Sequence, residues 1–359
     1  MEGYGQRRTP PRQVGKRYRP GSRELVPKSH TDISVGEDKS FAPHNATMVR
    51  RLDLKVGYSC NNNCRFCVVA RRRANPDRGI DTLVAALERA RPEATEVVIT
   101  GGEPSVRSDL VELVAAAHRL GYGRIQLQTN GRMVSYRGLA DDLARAGLTE
   151  AVVALHGATS GTHDGLVRSS GAFDQTRRGL DNLVATGVQV IVKTVVVRPN
   201  LRELVDIARI AVDSGARGYQ AAFVHAEGNA REEFDQVVPR MKAAVPPIIE
   251  ALDLAASRGL DAHVEAVPLC LLPGREPLAS ELYMPPTEVD SPEGLDTDFD
   301  TTRVTEGKSK GPRCSRCRFV GVCEGVWHEY PERFGWDEFV PVPGNPVRSM
   351  ADLARAHLR

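Results

Sequence analysis

Residues 60–67 read CNNNCRFC, three cysteines in C-x3-C-x2-C order within a chain of 359 residues that has only seven. A disulfide takes two thiols, and a closed structural zinc site takes four nitrogen or sulfur ligands. Three thiols on one short loop suit another group: each can bind one iron of a [4Fe–4S] cube, leaving the fourth iron with an open coordination position. Two other readings compete. One is a zinc site completed by His156 or His163; the other is a redox dithiol, for which Cys60 would be surplus.

The rest of the chain sets the context for that loop. Hydrophobic content of 41% and charged content of 26% are ordinary for a soluble globular protein. A formal net charge of +2 gives no overall steering toward nucleic acid or acidic membranes. No apolar run is long enough to span a bilayer. The opening MEGYGQRRTPPRQVGKRYRPGSR is basic without an apolar stretch, so it does not read as a secretory signal. A cytoplasmic location follows, where cysteines persist as thiols or metal ligands. Residues 1–48 read as a basic, disordered tail, with eleven Lys or Arg through Arg51 against five acids. The competing reading is a basic arm that touches an acidic electron-donor protein or RNA.

From about residue 49 apolar runs alternate with amphipathic ones. EVVITGG (96–102), RIQLQTNG (124–131), AVVALHG (151–157), QVIVKTVVV (189–197) and GYQAAFV (218–224) read as buried strands. DTLVAALERARP and DLVELVAAAHRLG between them have helical spacing. With a strand ending near Tyr58, the pattern counts six βα units by about residue 245. The expected fold is α/β, an open partial (β/α)6 TIM-like barrel with right-handed crossovers and ligands at the C-terminal ends of its strands. Residues 49–245 form this core, and 246–359 form a small cysteine-rich domain. Residues 283–312, polar and rich in turn formers, read as a loop.

Cys60, Cys64 and Cys67, with aromatic Phe66 before the last of them, resemble the signature of the radical S-adenosylmethionine (SAM) superfamily. The resemblance implies that the open iron chelates SAM. One electron then cleaves SAM to methionine and a 5′-deoxyadenosyl radical, which takes hydrogen from substrate. TGGEP (100–104) is similar to the family's GGE motif, so Gly101, Gly102 and Glu103 are expected at the methionine amino group. QTNG (128–131) implies that Thr129 or Asn130 faces SAM; ordinary Asn-Gly turn chemistry is the alternative. The segment after the fourth strand resembles the branch with the molybdenum-cofactor GTP-cyclising enzyme and the peptide maturases. Ala154 stands where that branch often has Ser, which leaves His156 or backbone to replace the contact. Lys193 sits inside an apolar run and needs a counter-charge, from the SAM carboxylate or from a structural salt bridge. Arg71, Arg72 and Arg73 read as a solvated charge run, with a phosphate or a donor flavodoxin as the alternative partner.

Four cysteines remain: Cys270, then Cys314, Cys317 and Cys323 in C-x2-C-x5-C order. Four close a [4Fe–4S] cluster, and a four-cysteine zinc site shares the C-x2-C element. The run from Cys317 through Phe339 resembles the C-terminal segment of radical SAM enzymes with SPASM or twitch extensions, which implies one auxiliary cluster. Trp327, His328, Tyr330, Phe334 and Trp336 follow and are expected to shield it from water. The implied protein is an enzyme acting on a small-molecule, cofactor-precursor or natural-product substrate, supplied with electrons by a flavodoxin or ferredoxin. Maturation of a ribosomally made peptide is the alternative. A non-catalytic iron–sulfur electron carrier and a zinc scaffold are the rivals from other classes.

Overall fold

Leu52 and Leu54 are fully buried in strand β1 (Arg50–Lys55), while Arg51, Asp53 and Lys55 between them are only partly covered. In the computed structural model, which describes residues 50–357, seven more parallel strands and one antiparallel strand join β1. They are β2 (Ala94–Thr100), β3 (Arg124–Thr129), β4 (Glu150–Ala154), β5 (Gln189–Val196), β6 (Gly218–Phe223), β7 (Asp261–Glu265), β8 (Thr287–Ser291) and β9 (Gly294–Asp296). The same two-residue alternation recurs in β5 and β7, whereas β2, β3, β4 and β6 hold consecutive buried residues. The order is β7-β6-β5-β4-β3-β2-β1-β8-β9, and only the β8–β9 pairing is antiparallel. The sheet is open at both ends. The expected α/β architecture of parallel strands and crossing helices is the one observed.

The register sorts the two faces. Leu52 and Leu54 share one face with Val97 and Ile99, Ile125 and Leu127, Ala151 and Val153, Val190 and Val192, Tyr219 and Ala221, and Ala262 and Val264. Helices α1 (Ile80–Ala90), α2 (Leu110–Arg119), α3 (Arg137–Arg145), α4 (Ser160–Val167), α5 (Ala172–Ala185) and α6 (Leu204–Asp213) share one continuous apolar core with that face. After the short turns α7 (Asn229–Glu232) and α8 (Phe234–Val237), α9 (Met241–Ser257) joins the same core. The opposite face carries Asp53, Lys55, Gln126, Gln128, Lys193, Gln220, His263 and Glu265. That face is mixed, since Val98, Val152, Ile191, Val195 and Ala222 share it with these polar residues, whereas the helix-packed face is apolar throughout most of its length.

Residues 283–312 do not form a plain loop. They hold β8 and β9, the helical turn α10 (Phe299–Thr302), a π-helical turn at Arg303–Gly307, and β10 (Lys308–Ser309), which pairs with β11 (Val326–Trp327). The polar residues of this segment are matched rather than solvated. Asp290 in β8 pairs with Arg78 at 2.7 Å and with Arg89 at 3.0 Å. Strands β7, β8 and β9 all lie beyond residue 245 yet belong to the main sheet. Helices α11 (Glu329–Phe334) and α12 (Met350–His357) complete the described chain. The expected N-terminal tail lies outside the described residues.

Hydrogen exchange tests the position of β8. Amides of residues 287–291 should be protected to the same degree as those of β1, whereas exchange at an open-loop rate would remove β8 from the sheet.

Candidate active site

Pairing between β1 and β2 continues past the strand ends. Val56 N donates to Thr100 O (2.9 Å), Gly102 N to Gly57 O (2.9 Å) and Glu103 N to Ser59 O (2.8 Å). The two backbones approach so closely that a Cβ on Gly101 would lie 2.2 Å from Gly57 O, and one on Gly102 2.4 Å from Ser59 O. Gly101 also has φ +139°, a region that side chains avoid. The glycines of TGGEP are thus required by contact with the cysteine loop's own backbone. The sequence had led us to expect room for a ligand.

Beyond Ser59 the loop is held from several sides. Asn63 N and Arg65 N donate to Val167 O and Leu166 O at the end of α4, each at 2.9 Å. Asn229 Nδ2 donates to Cys64 O (2.7 Å) and its backbone N to Cys67 O (3.1 Å). The Arg65 guanidinium pairs with Glu233 (2.7 Å) and Gln236 (2.6 Å). Arg132 donates to Asn61 O and, at 2.7 Å, to Asn62 Oδ1. Asp77 accepts from Tyr58 N (2.9 Å) and Ser59 N (3.1 Å).

Cys60, Cys64 and Cys67 are half-buried free thiols. Burial, followed by the neighbouring Cys67 and Cys60, pushes Cys64 up to about 12, and burial also raises Cys60. Such thiols stay protonated until a cationic centre displaces the proton. Among the described residues no three His, Cys, Asp or Glu side chains stand together as ligands of one metal ion. A cubane takes each thiolate on a different iron and so asks for wider spacing. The two histidines offered as a fourth zinc ligand both have Nδ1 engaged by backbone. His163 Nδ1 accepts from His156 N (3.1 Å), and His156 Nδ1 accepts from Val195 N (3.2 Å).

The other expected contacts form a joint between loops. Glu103 is buried, and its carboxylate accepts from Ser105 N (3.0 Å), the Ser105 hydroxyl, Thr129 Oγ1 (2.7 Å) and Asn130 N (2.5 Å). Those donors use about the full acceptor capacity of a carboxylate. Burial nonetheless leaves the Glu103 carboxyl raised above its usual range. Thr129 Oγ1 accepts from Gly131 N (3.0 Å), and Gly131 takes the positive φ of +77° that an Asn-Gly turn requires. Asn130 Nδ2 reaches Asn61 Oδ1 (2.7 Å) in the cysteine loop. Thr129 and Asn130 therefore tie β3 to the site through their own side chains.

Buried Phe66 sets its ring edge against His156, with 4.8 Å between centroids. Burial, then His163, then Lys193 hold His156 well below the usual imidazole range, so it is neutral. Its Nδ1 accepts a backbone N–H, which places the proton on Nε2. Lys193 finds its counter-charge within the chain: Nζ lies 2.6 Å from Glu265 Oε2 on β7. Burial, the largest single influence, opposes ionisation of Glu265, but Lys193 together with Lys308 and Arg303 leaves the carboxyl lowered. The three arginines after the loop are not a free charge run. Arg71 pairs with Glu232 (3.2 Å), Arg72 with Glu293 (4.0 Å), and Arg73 Nη2 approaches Cys67 Sγ (3.7 Å).

The four remaining cysteines converge. Cys270, Cys314, Cys317 and Cys323 line one pocket, walled by Pro268, Val320, Val326, Trp336 and Phe339. Burial first, then the other three thiols, pushes Cys270 up to about 12. Of the five residues expected to shield this place, Trp336 lines it. Tyr330 instead donates to Glu338 and accepts from Met241 N (2.7 Å), and Phe334 packs on Phe234. Trp327 stacks on His225 at 4.0 Å, and His328 Nδ1 meets Gly307 O at 3.1 Å. Sequence reasoning missed Glu265, Asp77 and Arg132. Only Glu265 left a signal, a carboxylate alternating with buried Ala262 and Val264.

Comparison with known proteins agrees with this geometry. Residues 54–211 match the Radical SAM superfamily, so this segment of the chain is similar to that superfamily. It is 30% identical over 224 residues to the AdoMet-dependent heme synthase of Oleidesulfovibrio alaskensis, covering 58% of this chain and 57% of that protein. It is 33% identical over 172 residues to the mycofactocin maturase MftC of Mycobacterium tuberculosis, covering 46% and 42%. The chain thus matches about half the length of these curated relatives. Streptococcus suis SuiB bound to S-adenosylmethionine shares the fold, with a TM-score of 0.59 over 78% of this chain and 73% of that one at 14% identity.

Two measurements check the site. Gly102→Ala should cost about 1–3 kcal/mol of stability through overpacking against Ser59 O, read as a lowered urea midpoint; an unchanged midpoint would contradict the close crossing. His163 is lowered to about 4 from 6.5, chiefly by burial. Between those pH values the unfolded chain binds the proton and the folded one does not, so stability rises with pH and is lost on acidification. The shift corresponds to about 3 kcal/mol, and His163→Asn should flatten that rise in denaturant melts recorded across the window.

Proposed function

We propose that this protein is a radical SAM enzyme that reductively cleaves SAM and uses the 5′-deoxyadenosyl radical to take hydrogen from its substrate. The observation that carries the reading is the loop of three thiols fixed against the GGE segment at the C-terminal ends of the strands, where ligands of such sheets bind. The cluster held there supplies the electron that breaks the sulfonium bond of SAM.

The chain's own residues bind, orient and exclude water. Cys60, Cys64 and Cys67 would hold the cluster. Gly101, Gly102 and Glu103 fix the height of that loop over the sheet, and Phe66 and His156 wall it on the β4 side. Glu103 acts through the joint with Thr129 and Asn130, leaving backbone carbonyls of the loop for a ligand amino group. The Lys193 ammonium and the His156 Nε2–H are donors for the anionic and hydroxyl groups of SAM. The mixed sheet face, with Gln220, His263 and Glu265, receives the substrate.

Cys270, Cys314, Cys317 and Cys323 would hold one auxiliary [4Fe–4S] cluster of SPASM or twitch type. Their number leaves it fully protein-ligated and suits electron transfer or structural duty. The competing four-cysteine zinc centre would be colourless and iron-free. A flavodoxin or ferredoxin supplies electrons, and the enzyme works in the cytoplasm; no described helix is long and apolar enough to cross a membrane. A small-molecule, cofactor-precursor or natural-product substrate is the first reading. The second is a peptide, favoured by the similarity to a maturase and by the fold shared with SuiB, whose structure bound to precursor peptide SuiA gives a TM-score of 0.58.

Anaerobic reconstitution followed by incubation with SAM and dithionite should yield 5′-deoxyadenosine. Cys64→Ala should abolish that product. Cys317→Ala should keep some cleavage uncoupled from turnover. An iron–sulfur electron carrier would leave SAM intact, and equal cleavage by wild type and Cys64→Ala would dismiss the assignment of the first site.

A further inference from the structure

Three consecutive arginines follow the cysteine loop, and the structure gives them different duties. Arg71 and Arg72 face the carboxylates of Glu232 and Glu293. Arg73 turns the other way: Nη2 lies 3.7 Å from Cys67 Sγ, and Nε is buried without a hydrogen-bond partner among the described residues. A buried, unpartnered guanidinium N–H is costly, by about 1–3 kcal/mol or more for a charged group. Such donors are retained where something accepts from them. The 3-10 turn at Ala70–Arg72 sets the side chain in place, closed by Arg72 N donating to Val69 O at 2.9 Å. Cys60 meanwhile receives a backbone donor, Asn62 N at 3.4 Å. Two of the three sulfurs therefore already carry an N–H.

We infer that Arg73 is a positioning residue for the first iron–sulfur centre: its guanidinium donates to Cys67 Sγ and raises the centre's reduction potential, so that a biological donor can deliver the electron. The inference rests on the proposed function. Its physical basis is that a cluster bound by three thiolates gains one negative charge on reduction. A fixed cation and an N–H···S bond stabilise that reduced state more than the oxidised one. No bond is made or broken, and the electron comes from the flavodoxin- or ferredoxin-type donor already named. A lysine would keep the charge but lose the rigid fork that holds Nη2 and Nε in fixed relation.

The test is a potentiometric titration of the full, anaerobically reconstituted chain followed by electron paramagnetic resonance. The first centre is identified as the signal that changes when SAM is added. At a fixed ambient potential, Arg73→Met should show a reduced-to-oxidised ratio about tenfold below wild type, which is about 59 mV for a one-electron couple. Arg73→Lys should fall between the two. An unchanged potential in Arg73→Met overturns the proposal while leaving the enzyme assignment intact. If Arg73→Met loads no cluster, Arg73→Lys decides: a lowered potential supports the role and a wild-type potential refutes it. A wild-type chain with no SAM-responsive signal brings down the proposed function and this inference together.

Discussion

Everything at the site depends on two backbones passing within hydrogen-bonding distance where no side chain would fit. Gly101 and Gly102 let the segment after β2 continue the parallel ladder along Gly57 and Ser59. Cys60 then leaves from a rigid edge rather than from a free loop. The same segment delivers Glu103, which gathers hydrogen bonds from Ser105, Thr129 and Asn130 and so attaches β3 to the assembly. A cluster whose open iron must meet a ligand at one place needs that rigidity, because small errors in geometry are expensive in catalysis.

The sheet adds a second constraint, the separation of its faces. Leucine, valine and isoleucine at one parity bury themselves under the helices, which leaves the other parity free to be polar. Lys193 can therefore sit inside a parallel strand without violating the core, neutralised by Glu265 at the end of β7. Both cysteine sets are short excursions from this sheet. Cys60 follows β1 and Cys270 follows β7, while β10 and β11 bring up the rest.

Much of this was legible in the chain of letters. Cysteine spacing, strand–helix alternation and the GGE segment depend on local order, and local order is what a sequence displays. The partners of those residues were not. Lys193 declared its need for a counter-charge, but nothing local names Glu265, 72 residues away. Glu103 read as a ligand contact because its donors, Thr129 and Asn130, arrive on another strand. Residues 283–312 read as loop because their acids look solvated until Arg78 and Arg89 are placed beside Asp290. Spacing could not tell that Arg73 turns toward sulfur while its two neighbours turn toward carboxylates.

Besides those from Asp77, Arg132 and the end of α4, several bonds that steady the first three cysteines come from far along the chain. Asn229 grips the carbonyls of Cys64 and Cys67, Glu233 and Gln236 hold Arg65, and Glu293 takes the hydroxyl of Tyr58. All of these lie beyond residue 211, where the family match ends. A fragment trimmed to the matched boundaries would keep Cys60, Cys64 and Cys67 but lose the other four cysteines and these distant supports of the loop. The minimal working unit is thus larger than the recognisable one.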